Sequence, residues 1–501
     1  MASPDPNQFR TNWRWNDWVW IPDFWMAWPV WIRWLLAVWI AVAVGIGFPV
    51  LGAGMGDGGR DLVLVAVGGF SGILAVLVSP LVPLAGWLAT LYHADLGWAS
   101  WPVSAGQASG ALFLWSVLAA VLAGRRLALL DHPLIWSIVA LSLMLAWSGL
   151  TSLDRATGWA LAPYPLFYGL VAWGVACTLR RPEDWRGLAW IVVVLTAGHA
   201  FPGLVQATSR GTLEAALAGE FSYRIRIQGT AANPIVFGWN MIYGVPAALY
   251  LATVERHPLL KVVALGLGLF GLGVSLLTLN RQGFVLAAIA MGATVLLGPT
   301  KYRRWLAGGA ALAVGAGTVL LLPVMVERLM AAFQADRGGA SGGLFRDPSF
   351  LERRDAFLTG MNGLAAHPWN GIGLGAFPTT WRDFYPRDGS TYFIQSTLEV
   401  EWRYLDSGYV QILVETGLLG FGVAGFVLGN LAWRVWRVRR EMLGRGDWEG
   451  VAAAGWVLGL GCFVAVGTLV QDTMLNPRVW VLVGMAAALV RMAKLRRVPE
   501  G

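Results

Sequence analysis

The sequence predicts an all-α, polytopic membrane protein with roughly 12 to 14 spanning helices and one large, partly helical loop outside the membrane. Three observations predict it. Of 501 residues, 56% are hydrophobic and only 13% charged, and mean hydropathy is +0.58, whereas soluble domains are about 25% charged. Apolar stretches of roughly 18 to 25 residues recur along the whole chain, the length a helix rising 1.5 Å per residue needs to cross hydrocarbon. A β-barrel would show short alternating segments instead. Finally, Lys and Arg collect in the short connections between apolar runs, where they set orientation.

Residues 1–30 carry Trp13, Trp15, Trp18, Trp20, Trp25 and Trp28 and end near Pro29. This pattern lacks the charged, apolar and small regions of a cleavable signal and suits the headgroup zone, where an amphipathic ring meets both solvents. The helix bundle then occupies 31–326, with spans expected at 31–53, 62–92, 106–124, 133–152, 157–179, 188–208, 235–254, 262–280, 283–299 and 306–326. Pro80 and Pro83 interrupt the second, because a proline removes a helical donor and crowds the preceding turn. A loop over 327–407 separates this bundle from the last spans at 408–433, 451–473 and 478–493, within 408–493, and 494–501 is a basic tail.

Alternating these spans puts Arg125-Arg126, Arg180-Arg181-Arg186, Arg256-Lys261, Lys301-Arg303-Arg304, Arg434-Arg437-Arg439-Arg440 and Lys494-Arg496-Arg497 on one side. By the positive-inside rule that side is cytoplasmic, including the C-terminus. The same placement accounts for the net charge of +8 without nucleic acid, which is excluded as a partner. The other side receives 209–234, the turn at 280–282, the loop 327–407 and Asn476. Cys177 and Cys462 lie in apolar runs and form no metal or disulfide spacing.

The loop opens with Arg337-Gly-Gly-Ala-Ser-Gly-Gly343. Ser349 followed by Glu352 then reads as a capping box for a helix through about Ala366, ended by Pro368. Gly371-Ile-Gly-Leu-Gly375-Ala-Phe377 follows, and then an aromatic and acidic stretch to Asp406. A connection this long is usually functional.

Two groups of charged residues fall on the outer side. Arg224, Arg226, Arg281, Arg353 and Arg354 run against the orientation bias. A guanidinium grips phosphate oxygens through a planar, charge-assisted fork, so arginines converging from separate elements suit a diphosphate. The competing reading is that they reach lipid headgroups or pair with Glu220, Glu352 and Asp355. The acidic group is Asp388, Glu399, Glu401 and Asp406, with Glu415 about two turns into the following span. Asp406 suits either a base or a helix N-cap. Glu415, a carboxylate inside an apolar run, suits either function or a bond to a neighbouring helix. His367 suits packing at the end of the loop helix or proton transfer. Gly371, Gly373 and Gly375 suit either a phosphate cradle or a tight turn. No HExxH, CxxC or paired-acid motif is present, so no metal or cofactor is expected.

Taken in order, four stretches resemble the O-antigen polymerase and O-antigen ligase superfamily of bacterial envelope glycosyltransferases. They are Arg226-Ile-Gln-Gly-Thr-Ala-Ala-Asn-Pro234 with Phe237-Gly238; Leu276-Leu-Thr-Leu-Asn-Arg281-Gln-Gly283; Ser349 to Arg353 with His367-Pro-Trp-Asn-Gly371 through Phe377; and Asp406-Ser-Gly-Tyr409-Val-Gln411 through Glu415 to Gly420. The resemblance implies a metal-independent, inverting transfer of an undecaprenyl-diphosphate-linked glycan to a lipid-linked glycan or lipid A core, at the periplasmic face of the bacterial inner membrane. A chain-length regulator is a further partner it implies. On this view Arg281 and Arg353, with Arg224, Arg226 and Arg354, hold the diphosphate, and Asp406 and His367 are the catalytic candidates. Tyr409, Gln411, Glu415 and the three glycines support them. Ligase-type members carry His where this chain has Asp406, which points to polymerisation; ligation is the alternative. A flippase for lipid-linked sugar is the alternative of another class, opposed by the absence of an internal repeat.

Overall fold

The computed structural model describes residues 80–91, 105–122, 133–209, 234–278, 280–304, 348–386, 405–469 and 476–495, with scattered single positions between them. Among the described residues all regular structure is helical. In chain order the helices are α1 (Leu81–Thr90), α2 (Ala105–Leu122), α3 (Pro133–Leu150), α4 (Arg155–Leu161), α5 (Pro163–Thr178), α6 (Pro182–Ser209), α7 (Pro234–Ile242) and α8 (Gly244–Val254). They continue with α9 (Pro258–Leu276), α10 (Arg281–Leu297), α11 (Pro348–Ala366), α12 (Phe377–Phe384), α13 (Gly408–Gly444), α14 (Trp448–Gly467) and α15 (Pro477–Leu495). Six stretches among the described residues are long and apolar enough to cross a membrane: 155–178, 182–209, 234–254, 258–276, 408–444 and 448–467. The segment 1–30, the spans at 31–53 and 306–326 and the basic tail after Leu495 lie outside the described residues.

Proline places many of the helix starts. Pro133, Pro163, Pro182, Pro234, Pro258, Pro348 and Pro477 each stand first in their helix, where the missing N–H would be unbonded anyway and the fixed φ is already helical. α1 begins immediately after Pro80, and the part of the expected span before it lies outside the described residues. The expected span at 235–254 is divided at Tyr243 into α7 and α8. Ser349 stands inside α11, which opens at Pro348, so the helix begins one residue ahead of the expected cap. The basic connection 434–450 is helical up to Gly444, the end of α13, an element of 37 residues with a break inside it.

Close approaches set the packing. A methyl group on Gly455 would sit 2.9 Å from Gly298 Cα and one on Gly459 would sit 2.0 Å from Thr294 Oγ1, so α10 and α14 lie backbone to backbone and antiparallel. The Arg281 end of α10 and the Leu469 end of α14 therefore share one end of the bundle. The opposite end holds the basic residues. There Arg186 Nη2 lies 2.7 Å from Glu449 Oε1, Arg491 Nη2 donates to Leu179 C=O at 3.2 Å, and Arg439 Nε donates to Leu297 C=O.

The main core runs through the bundle and includes Trp87, Phe113, Trp185, Phe237, Trp456 and Phe463. A second, separate core lies at the Leu469 end, where α11, α12 and the first turns of α13 bury Ala356, Leu364, Ile372, Phe377, Trp381, Leu405 and Val414. The described part of this loop, 348–386 with 405–407, thus packs as a small folded unit with the start of α13. Helix α12 within it was not anticipated.

Candidate active site

The unit is fastened to the bundle by an exchange of backbone hydrogen bonds. Helix α13 breaks at Gly417, whose φ of 66° and ψ of −171° are open to glycine alone. The break frees two carbonyls and two N–H groups, which the segment 368–373 meets. Ile372 N–H donates to Val414 C=O at 3.0 Å and Gly373 N–H to Glu415 C=O at 2.9 Å; Leu418 N–H donates to Pro368 C=O at 2.9 Å and Leu419 N–H to Trp369 C=O at 3.2 Å. Ser148 joins from α3, its hydroxyl donating to Glu415 C=O at 2.9 Å and accepting from Leu374 N–H at 3.1 Å. Leu153 N–H closes the seam on Ile372 C=O at 2.9 Å.

This decides what the glycines do. Gly371, Gly373 and Gly375 all have positive φ. At Gly373 (φ 100°) an added Cβ would lie 2.1 Å from Ser152 Cα. The N–H groups of Gly371 and Gly373 are both held by carbonyls, of His367 and Glu415. The turn reading holds, and these two have no donor left over for a phosphate.

The charged residues divide by partner. Arg354 is held by Asp355, with Nε and Nη2 at 3.0 and 2.9 Å from Oδ1, and Asp355 is fully buried. Arg353, one residue earlier, points elsewhere: its Nε lies 3.3 Å from Asp406 Oδ2, both side chains being 51% exposed. Asp406 is not the N-cap of α13. That position is Ser407, whose side chain makes no capping bond. Instead the first turn is held by α14, through Gly408 N–H on Thr468 C=O at 2.8 Å and Tyr409 O–H on Ala465 C=O at 2.8 Å.

Arg353 and Asp406 line a cavity of about 200 Å³ together with Ala356, Phe357, Leu405, Ser407, Val410 and Leu469. One wall is ionic and the other apolar, with Phe357 46% and Leu469 57% exposed. Phe357 follows Arg353 by one helical turn, so its place on the same face was available from spacing. Leu469 had no such signal. Burial pushes the Asp406 carboxyl above its ordinary range; Arg353 opposes this and Glu352 adds to it.

Other expected residues lie apart from the cavity or serve the scaffold. His367 ends α11, about 20 Å along the helix from Arg353, and its ring stands edge-on to Phe384 at 6.1 Å. Glu415 is buried, with Gln411 Nε2 donating to its Oε2 at 3.3 Å. Asp154, which was not foreseen, caps α4 through Thr157 N–H at 3.2 Å and accepts from Thr379 O–H on α12 at 2.8 Å. The Thr157 hydroxyl holds its carboxyl below the ordinary range. Asn280 caps α10 by accepting from Gln282 N–H at 3.2 Å. That leaves Arg281 as the first residue of α10; its side chain, with Arg224, Arg226, Asp388, Glu399 and Glu401, lies outside the described residues. No cluster of metal-ligating side chains occurs among the described residues.

A bundle of apolar helices, several long enough to cross a membrane, with a folded unit clamped at one end defines a multi-pass membrane protein. Residues 266–425 match the family model described as O-Antigen ligase, so over that stretch the chain is similar to the O-antigen polymerase and ligase superfamily. The match takes in Arg281, Arg353, His367, the glycine turn and Asp406 through Glu415. No curated protein matches the chain. The matched stretch supports an O-antigen ligase- or polymerase-type function in general terms.

Proposed function

We propose that the protein polymerises a surface polysaccharide by transferring a polyprenyl-diphosphate-linked glycan onto the hydroxyl of a second lipid-linked unit. The observation that carries the reading is the meeting of Arg353 and Asp406, from elements far apart in the chain, at one cavity. In the proposed step the acceptor oxygen bonds to the anomeric carbon as the bond from that carbon to the diphosphate oxygen breaks. The diphosphate leaves with the electron pair and the acceptor's proton passes to the Asp406 carboxylate. Attack opposite the leaving group inverts the carbon, by the logic of carboxylates in inverting glycosidases.

Diphosphate needs no proton to leave, so fixed cations meeting the developing charge supply most of the help. Arg353 is one. Arg281 is the second, set at the N-terminus of α10, where the helix dipole and unbonded N–H groups favour an anion. Arg226, with Arg224, is assigned a helping role, while Arg354 serves Asp355. His367 shapes the loop, and Tyr409, Gln411 and Glu415 hold the start of α13. The apolar wall of Phe357, Val410 and Leu469 suits the first units of the lipid tail.

The cavity end faces the periplasm and the basic end the cytoplasm, by the charge bias. Labelling of an introduced cysteine at 444, but not at 340, in intact cells would reverse that assignment. Ligation to lipid A core is the second reading, favoured by the description of the matching family. Purified protein given lipid-diphosphate oligosaccharide alone tests between them. Polymerisation yields a ladder of products, and a requirement for a second kind of acceptor contradicts it.

A further inference from the structure

We propose that the Arg353–Asp406 pair is a resting lock opened by the donor: the diphosphate takes Arg353 from Asp406, and the carboxylate, relieved of the neighbouring cation, becomes the stronger base for the acceptor's proton. The inference rests on the reading above and adds an order of events, donor before acceptor activation. Two neighbouring arginines on one helix carry it. Arg354 brings two nitrogens to a fully buried carboxylate at 3.0 and 2.9 Å. That pair seats a carboxylate with no exposure to solvent. Arg353 offers Asp406 one nitrogen at 3.3 Å, with both partners half exposed at the mouth of the cavity. A pair of this kind is worth about 0 to 1 kcal/mol in water, and a diphosphate brings more charge and more acceptor oxygens to the same guanidinium.

The backbone on both sides of the pair is fixed. Ala356 on α11 and Leu405 beside Asp406 are buried in the outer core, and Gly408 is bonded to Thr468. Opening the lock therefore needs a change of side-chain rotamers and leaves the fold in place. While the pair is closed, the guanidinium draws on the carboxylate's charge and weakens it as a base. Proton transfer to it is then favoured only once the donor is seated.

The test is the affinity of the purified full-length protein for undecaprenyl diphosphate without glycan, with tryptophan-fluorescence melting to verify folding. Asp406→Asn removes the competitor for Arg353, so the lipid should bind about twofold to fivefold tighter, the scale of an exposed ion pair. Loss of negative charge alone would also tighten binding, so a double-mutant cycle separates the two. In an Arg353→Ala background the gain from Asp406→Asn should shrink to what loss of charge alone gives, and Glu352→Gln should give less than Asp406→Asn. Unchanged or weaker binding in Asp406→Asn overturns the lock, as does a gain of equal size in the Arg353→Ala background. Turnover is read separately: an Asp406→Asn enzyme that is inactive yet binds as wild type keeps the base and loses the lock.

Discussion

The two ends of the bundle use arginine in different ways. At the basic end Arg439 and Arg491 donate to the last carbonyls of α10 and to Leu179 just past α5, and Arg186 is seated on Glu449 with both side chains less than one-third exposed. These cations complete helix ends whose carbonyls have no intrahelical partner. At the other end Arg353 has a single longer contact and a cavity of about 200 Å³ beside it. Residue type is shared; the open space and the apolar wall are not. The lesson is that an arginine becomes a candidate for chemistry when its partner leaves room for a ligand.

Removing one arginine from each end sharpens that contrast. Arg353→Ala should lower turnover about 30-fold to 1000-fold, the effect of 2 to 4 kcal/mol lost from transition-state stabilisation, with insertion and melting unchanged. Arg353→Lys should rescue poorly because it lacks the fork. Arg186→Ala should do the reverse, lowering stability by about 1 kcal/mol and sparing turnover per folded molecule. Equal activity losses at the two ends would erase the distinction.

The seam between the outer unit and the bundle gives the next largest effect. Gly373→Ala puts a methyl against the backbone of Ser152 at a φ of 100°, and should cost about 1 to 3 kcal/mol through strain alone. The loss should appear as a lowered melting temperature and as proteolysis within 368–376. A variant that melts like wild type would mean the clamp is not rigid.

Smallest is Asp154, another carboxylate at the cavity end. Asp154→Ala should cost about 1 kcal/mol as a lost cap, with little change in turnover. Because its carboxyl is held below the ordinary range, its stabilisation is present above the unfolded pKa and fades as pH falls through the folded one. Asp406 is shifted the other way, so its ionisation costs stability as pH rises, and Asp406→Asn should not lower the melting temperature. Melting curves of the two variants from acid to neutral pH check both signs.

Much of this was legible in the chain. Among the described residues the apolar runs gave the place of most helices, because hydrophobic length is a local property, though α6 starts ahead of its expected span and α13 runs well past its own; Pro348 and Pro368 bracket α11 as their chemistry requires. The outward arginines and Asp406 stood out because each is costly where it sits. Their sorting was not legible. Whether Arg353 or Arg354 faces the cavity depends on where Asp355 is buried, and the meeting with Asp406 joins segments separated by the whole of α11 and α12. The break at Gly417 was equally hidden, since α13 gives up its own hydrogen bonds only because 368–373 supplies replacements. Residue types could not choose between cradle and turn for the glycines; for Gly371 and Gly373 the partners of their N–H groups do.

The central claim is that Asp406 is a base and not a cap, and one comparison of turnover rates tests it. Asparagine matches aspartate in shape and capping strength but cannot take a proton. Turnover by Asp406→Asn should therefore fall about 100-fold to 10,000-fold with unchanged folding, and Asp406→His should keep partial activity, since a neutral imidazole near pH 7 can accept the proton. An Asp406→Asn enzyme that turns over like wild type would contradict the account and send the search for the base to Glu399, Glu401 and His367.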